Sequence, residues 1–202
     1  MAQILKFYEQ DHEYQLGDET IPSVSEITRF ASREVYSDVT QYTLDNAADR
    51  GRRVHKATEL IDKYGECDVE ADIAPYVKAY LKFLKEKQPE YKHIEKAYAS
   101  EEDKYAGTLD RVGSVKGYDG LSIIDIKSSS TVQKVLAQIQ LNGYKRLYEQ
   151  NTGEEISHLL ILHLKNDETY KLDEIPIDDT LFVSCFNLHN ALKKKKRGKR
   201  NG

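Results

Sequence analysis

The sequence predicts a mixed α/β (α+β) domain built on one central sheet, and three observations predict it. Apolar residues recur at helical spacing in four segments, roughly 45–64, 73–87, 132–150 and 179–195. Segments rich in β-branched and aromatic residues lie between and after these, at about 92–127 and 158–175. The resulting order is helices, three strands, a helix, strands and a helix, the pattern of helices laid on the faces of one sheet. The chain has 202 residues, 39% of them apolar and 32% charged, which suits one folded domain with a sizeable core.

The elements follow in order. "ILKFYE" and "EYQLGDETIPSV" alternate in polarity, and Gly17-Asp18 supplies a turn, so a small N-terminal hairpin is expected. Ser23 or Ser25 can then cap a short helix, "SEITRFA". In the next helix Val54, Ala57, Leu60 and Ile61 form the apolar stripe, and Gly65 ends it. The second long helix sets Ile73, Val77, Tyr80, Leu81 and Leu84 on one face and stops before Pro89. "HIEKAYAS", "YAGTLDRVGSV" and "LSIIDIKS" read as three strands. After the third segment of helix come "HLLILHL" and "TYKLDEI". The last helix packs through Leu181, Val183, Phe186, Leu188 and Leu192.

Composition excludes several classes. No apolar run approaches the roughly 18 residues that span a bilayer. "MAQILKFYEQDHEY" lacks the basic and apolar regions of a signal peptide. The two cysteines, Cys67 and Cys185, build neither a disulfide framework nor a four-cysteine metal site, so a reducing cytoplasm is expected. The net charge is −4, but the tail from Lys193 to Gly202 carries seven positive charges and no acids, which leaves −11 on residues 1–192. The expected organisation is a single domain over 1–192 with a basic C-terminal tail over 193–202. The tail reads either as a solvated helix end or as an arm that contacts phosphates.

The chemistry is concentrated in "GTLDRVGSVKGYDGLSIIDIKSSS", Gly107 to Ser130. The expected turn is "KGYDG", centred on Tyr118, which brings Asp110 and Asp125 nearly opposite each other, with Cβ atoms about 5–6 Å apart if they share a face. Alternation sets Asp125 and Lys127 on one face and Ile124 and Ile126 on the other. Facing carboxylates repel, so something must compensate. Lys127 brings one positive charge, and a divalent cation held by hard oxygen ligands, Mg²⁺ or Mn²⁺, would bring two. The plainer alternative is an exposed Asp–Lys pair worth a few tenths of a kcal/mol. Gln140 and Tyr144 share a helix face, as do Gly51, His55 and Glu59. His12, His93, His158, His163 and His189 read as structural.

These features together resemble the PD-(D/E)XK nucleases, in the branch of RecB-type nuclease domains and phage-type exonucleases. "GTLD" with Asp110, "IIDIK" with Asp125 and Lys127, "QLNGY" as Gln-x-x-x-Tyr, and "RGRRVH" ending in His55 occur in the family's order. "HEYQLGDETIPSVSEI" also resembles the opening of phage-type members, so the likeness covers about residues 12–148. It implies a restriction-endonuclease-like core and a divalent-metal-dependent deoxyribonuclease, an exonuclease of recombination or DNA-end processing in a bacterial host or phage-infected cell. It implies His55, Asp110, Asp125 and the Ile126 carbonyl as metal ligands, with Mg²⁺ or Mn²⁺ as the ion. It gives Lys127, Gln140 and Tyr144 catalytic roles, and Glu59, Glu95 and Glu101 auxiliary ones. Members with an iron–sulfur cluster need four cysteines, and this chain has two. Relatives form rings or pair with a single-strand annealing protein.

An acidic body repels DNA, so basic residues must line the approach. Arg50, Arg52, Arg53, Arg111, Lys134, Lys145 and Arg146 are the candidates, each of which could equally be a solvated surface residue. Two other functions compete: a structure-specific endonuclease, and a retired DNA-binding or inhibitor protein on the same fold. Intact Asp110, Asp125 and Lys127 argue against the last.

Overall fold

The computed structural model of the chain describes residues 3–8 and 13–198, and side chains only as far as Lys193. His12 and the last four residues of the basic tail lie outside the described residues. The alternating N-terminal segment forms three strands, one more than the expected hairpin. β1 (Leu5–Tyr8), β2 (Glu13–Leu16) and β3 (Glu19–Ile21) pair antiparallel in that order, with Gly17-Asp18 turning β2 into β3. Ser23 caps α1 (Val24–Ile27) by accepting from the Glu26 N–H, and α2 (Arg29–Val35) follows.

α3 (Gln41–Tyr64) starts four residues before its apolar stripe suggests, because the Thr40 hydroxyl accepts from the Thr43 N–H. α4 (Ala74–Lys87) buries Tyr76, Val77, Ala79, Tyr80 and Phe83, whereas Leu81, assigned to that face from the sequence, is exposed. β4 (Glu90–Ser100), β5 (Tyr105–Val115) and β6 (Tyr118–Lys127) form an antiparallel meander. α5 (Lys134–Thr152) then crosses over to β7 (His158–Leu164), which lies parallel to β6, and β8 (Tyr170–Ile175) closes the edge. α6 (Thr180–Gly198) runs three residues past the expected end at Lys195, so the start of the basic tail is helical.

The five-stranded sheet, in the order β4-β5-β6-β7-β8, carries helices on both faces. One core packs Ile123, Leu159 and Ile161 against α5, α1 and Phe182 of α6. The other packs Ile124, Ile126, Leu160 and Leu162 against α3 and α4. The small sheet seats Tyr14, Leu16 and Ile21 on Ala99 and Ala106. Among the described residues no helix is long and apolar enough to cross a membrane.

The β5–β6 connection differs from its expectation. The turn is Lys116-Gly117, with Val115 opposite Tyr118, rather than a loop centred on Tyr118. An unbroken ladder from that turn would set Asp110 opposite Ile123. The register shifts between Gly113 and Val115, however, so that Gly113 pairs with Ser122 and Arg111 with Ile124. The strand absorbs two extra residues on β6 at Gly120, whose φ of +89° suits glycine and whose missing Cβ leaves room for Ser157. An insertion of two preserves every face and slides Asp110 level with Asp125. On the other side of β5, a Cβ at Gly113 would lie 2.1 Å from the Glu90 carbonyl oxygen, which is backbone and cannot give way. Gly113→Ala should cost about 3 kcal/mol or more in urea unfolding, the upper end for overpacking. A smaller loss would mean that β4 slides freely here.

Candidate active site

β5 and β6 part company at Arg111–Ile124, their last paired position before the site. β5 continues along β4 while β6 continues along β7, as far as Lys127 opposite His163. The buried Ile126 N–H, facing the gap, would have no strand partner there. Asp110 Oδ2 accepts it at 2.7 Å, a charge-assisted bond that fixes this carboxylate in the cleft between the strands.

His55, on α3, reaches the same point. Its Nε2 lies 2.9 Å from the Ile126 carbonyl oxygen, and its Nδ1 lies 3.5 Å from Asp110 Oδ2 and 3.7 Å from Glu95 Oε1. Glu95 comes from β4, where its φ of +47° is a left-handed conformation in the middle of a strand. Such a conformation costs a residue with a side chain about 1–3 kcal/mol and turns the carboxylate toward its neighbours. His55, Glu95 and Asp110 offer ligand atoms within 4.8 Å of one another. Glu95, only an auxiliary acid in the sequence reading, is therefore central in the structure. Its signal, an acid in an alternating strand, does not reveal a local reversal of φ.

Asp125 and Lys127 face α5, as alternation predicts. Lys127 Nζ donates to Asp125 Oδ1 at 3.1 Å and to Gln140 Oε1 at 3.1 Å, and Gln140 Nε2 donates to the Tyr144 hydroxyl at 2.9 Å. Asp125 Oδ2, 2.8 Å from Lys127 Nζ, is buried and accepts no well-aimed hydrogen bond. Tyr144 fits because Gly107, the first residue of "GTLD", has no side chain: a Cβ there would lie 2.7 Å from the ring.

Burial pushes the Asp110 carboxyl up, as does Glu95, while His55 pulls it back. Burial likewise raises Asp125, against the pull of Lys127 and with the push of Asp110. Burial would lower His55, but Asp110 and Glu95 outweigh it and hold the imidazole up at about 9. Lys127 is raised too, since Asp125 and Asp110 overcome its desolvation. The three acids thus hold two cations, His55 and Lys127, beside them at neutral pH.

These residues fit a divalent cation. The donors are carboxylate oxygens, one imidazole and one carbonyl, and a buried carboxylate oxygen has no hydrogen bond. His55 presents Nδ1 to Asp110 and Glu95 and Nε2 to the Ile126 carbonyl, so a single ion would take one of the two nitrogens. A metal here must displace the proton on that nitrogen.

Other expected residues lie elsewhere. Glu59 is taken up by Lys56 and Lys63 on α3, and Glu101 accepts from the Gln3 backbone at the surface. Arg111 is a correction: its side chain is fully buried between Asp62 and Glu95, so it cannot contact DNA. Arg52 and Arg53 pair with Asp49, and Arg53 also with Glu70 and Asp72. Lys134 pairs with Asp173, Lys145 with Glu149, and Arg146 with Asp103 and Asp179. A cleft of about 630 Å³ opens instead at Lys127 and Gln140, walled by Ser25, Arg29, Ser32 and Tyr36 of the α1–α2 segment and by Ser129 and Gln133. Little in the sequence marks that wall. Its only signal was a hydroxyl-rich stretch with two arginines, "SVSEITRFASREVY".

Comparison with known proteins returns fold-level likeness. No family model matches the chain, and no curated protein matches it. Among solved structures, a candidate exonuclease from Eubacterium rectale superposes with a TM-score of 0.50 at 13% identity, over 83% of this chain and 76% of that one. The chain has the fold of that structure. The mixed sheet and helical layers expected from the sequence are those of that fold. The alkaline exonuclease of Laribacter hongkongensis is a looser match, with a TM-score of 0.41 at 15% identity over 88% of this chain and 93% of its own.

The Gly107–Tyr144 contact is testable apart from any activity. Gly107→Ala should cost about 1–3 kcal/mol in urea unfolding. The cost should shrink in a Tyr144→Leu background, where the clashing ring is gone. Additive effects of the two substitutions would contradict the packing described.

Proposed function

We propose that this chain is a divalent-metal-dependent deoxyribonuclease that hydrolyses phosphodiester bonds and acts from DNA ends. The observation that carries the reading is the meeting of Asp110, Asp125, Lys127, His55 and Glu95 where β5 and β6 diverge. His55, Glu95, Asp110, Asp125 and the Ile126 carbonyl would hold the ion, with Mg²⁺ or Mn²⁺ suited to that donor set. The ion would supply Lewis acidity toward the phosphate and a route to activated water.

The chain's own groups do the rest. Lys127 is held as an ammonium, which suits it to offset charge building on the phosphate rather than to remove a proton. Gln140 aims Lys127, and Tyr144 aims Gln140. The neighbouring cleft offers the Arg29 cation and several hydroxyls to a strand leaving or entering the site. Exposed ion pairs such as Lys134–Asp173 are weak and can be traded for phosphates, so Arg52, Arg53, Lys134, Lys145 and Arg146 remain candidates for contact with duplex DNA. A role in recombination or end processing of phage type, beside a single-strand annealing protein, fits an end-directed nuclease.

Linear and circular DNA with Mg²⁺ or Mn²⁺ test the reading. Loss of linear DNA alone is expected. Nicked circles would make the chain an endonuclease, and no cleavage in either metal would leave a binding protein. Asp125→Ala should reduce cleavage to background while remaining folded, and a wild-type rate from it would sink the assignment.

Metal should also stabilise the fold by mass action, about 2.7 kcal/mol at a hundredfold excess over Kd. The Asp110→Asn/Asp125→Asn double variant should gain far less. Equal shifts in melting temperature for the two proteins would move the ion to another site.

A further inference from the structure

Arg111 is the largest fully buried side chain among the described residues, and it carries a charge. A guanidinium taken wholly out of water is costly unless its donors are matched, and here each of its three nitrogens has a partner, across three elements. Nε donates to Asp62 Oδ2 at 2.6 Å and Nη2 to the Thr58 hydroxyl at 3.3 Å, both on α3. Nη1 donates to Glu95 Oε1 at 2.9 Å on β4 and to the Asp110 carbonyl at 2.7 Å on β5. The guanidinium carbon lies 5.8 Å from the centre of the Tyr91 ring. Asp62 is locked in turn by the Tyr80 hydroxyl at 2.6 Å.

The same three elements supply His55, Glu95 and Asp110. One fork thus sets the spacing of three would-be ligands that are far apart in sequence. Its strongest local effect is on Glu95, the residue in a left-handed conformation. Asp110 is held by a backbone N–H, whereas among the described residues the hydrogen bond to the Glu95 carboxylate comes from Arg111, with His55 farther off at 3.7 Å.

We infer that Arg111 is a positioning residue that holds the Glu95 carboxylate at the cation site and thereby sets the affinity for the metal. This rests on the metal-binding reading above. The bond is made to Oε1 alone, so the carboxylate keeps acceptor capacity for an ion. The buried positive charge also faces the Glu95 carboxylate without lying among the ligands itself. Partners behind a metal ligand typically govern affinity by ten- to a hundredfold.

A double-substitution cycle read by Mn²⁺ binding, with calorimetry and the spin-resonance signal of free Mn²⁺, separates this role from general support of the fold. Arg111→Lys keeps the charge but cannot span Asp62, Thr58 and Glu95 together. It should weaken Mn²⁺ binding by about ten- to a hundredfold in the wild-type background. Glu95→Gln keeps the shape and the hydrogen bond to Arg111 but removes the ligand charge. In that background Arg111→Lys should change binding by less than about threefold, because the two substitutions act through one carboxylate. Equal losses in both backgrounds, or no loss in either, would overturn the inference. If Arg111→Lys does not fold, as judged by circular dichroism and thermal melting, Thr58→Val removes one of the guanidinium's bonds at a buried helical position. It should show the same pattern, a few-fold loss in the wild type that vanishes with Glu95→Gln, and a loss retained with Glu95→Gln would overturn the inference. Wild-type protein that binds no Mn²⁺ would instead defeat the metal reading itself, and the inference with it.

Discussion

The hydrogen bond from the Ile126 N–H to Asp110 Oδ2 is the constraint on which the site depends. A sheet that stays paired has no room between its strands. Here β5 and β6 separate, and each keeps its other neighbour. The backbone group exposed by that separation is buried and must be satisfied. A carboxylate does so in place of a carbonyl, and its position then follows from backbone geometry rather than from side-chain packing. The opening also lets His55 of α3 approach Asp110 while Lys127 of β6, on the opposite face of the sheet, approaches Asp125.

Electrostatics explains why so many acids can be tolerated there. Glu95, Asp110 and Asp125 face three cations, His55, Lys127 and Arg111, each contributed by a different element. The balance is not evenly hydrogen-bonded. Arg111 is matched at each of its donor nitrogens, whereas Asp125 Oδ2 has only a nearby ammonium. Arg111 therefore behaves as a fixed post, while the Asp125 side of the site keeps free acceptor capacity. The two cores divide the labour in the same way: α3 and α4 back the Arg111 side, and α5 backs the Lys127–Gln140–Tyr144 side.

Much of this was legible before the structure. Period-two alternation separated Asp125 and Lys127 from Ile124 and Ile126, because strand geometry leaves no choice. Helical spacing paired Gln140 with Tyr144. The expected turn was misplaced, yet the register still carries Asp110 toward Asp125, although the strands part before the two could pair and the ligand atoms that gather are those of His55, Glu95 and Asp110. A two-residue turn at Lys116-Gly117 and a two-residue bulge at Gly120 offset each other, and residue types alone do not fix where a glycine-rich segment bends. Arg111 was misread because an arginine next to a site acid looks like a phosphate contact. Only the arrival of Asp62 and Thr58 from α3 reveals it as buried.

The sequence by itself determined the order of the main elements, the alternation of β6, the apolar stripe of α3 and the acid–base pattern of residues 107–144, whereas Leu81 of α4 and Leu181, Leu188 and Leu192 of α6, expected to pack, are exposed and Phe182 is buried instead. The features it determined follow from local periodicity and covalent geometry, which act over a few residues. The tertiary structure alone decided that Glu95 joins His55 and Asp110, that Arg111 stands behind them, and that α1 and α2 wall the neighbouring cleft. Those outcomes depend on contacts between segments many residues apart, on a backbone reversal at one strand position, and on which strands remain paired. None of these leaves a periodic trace in the chain.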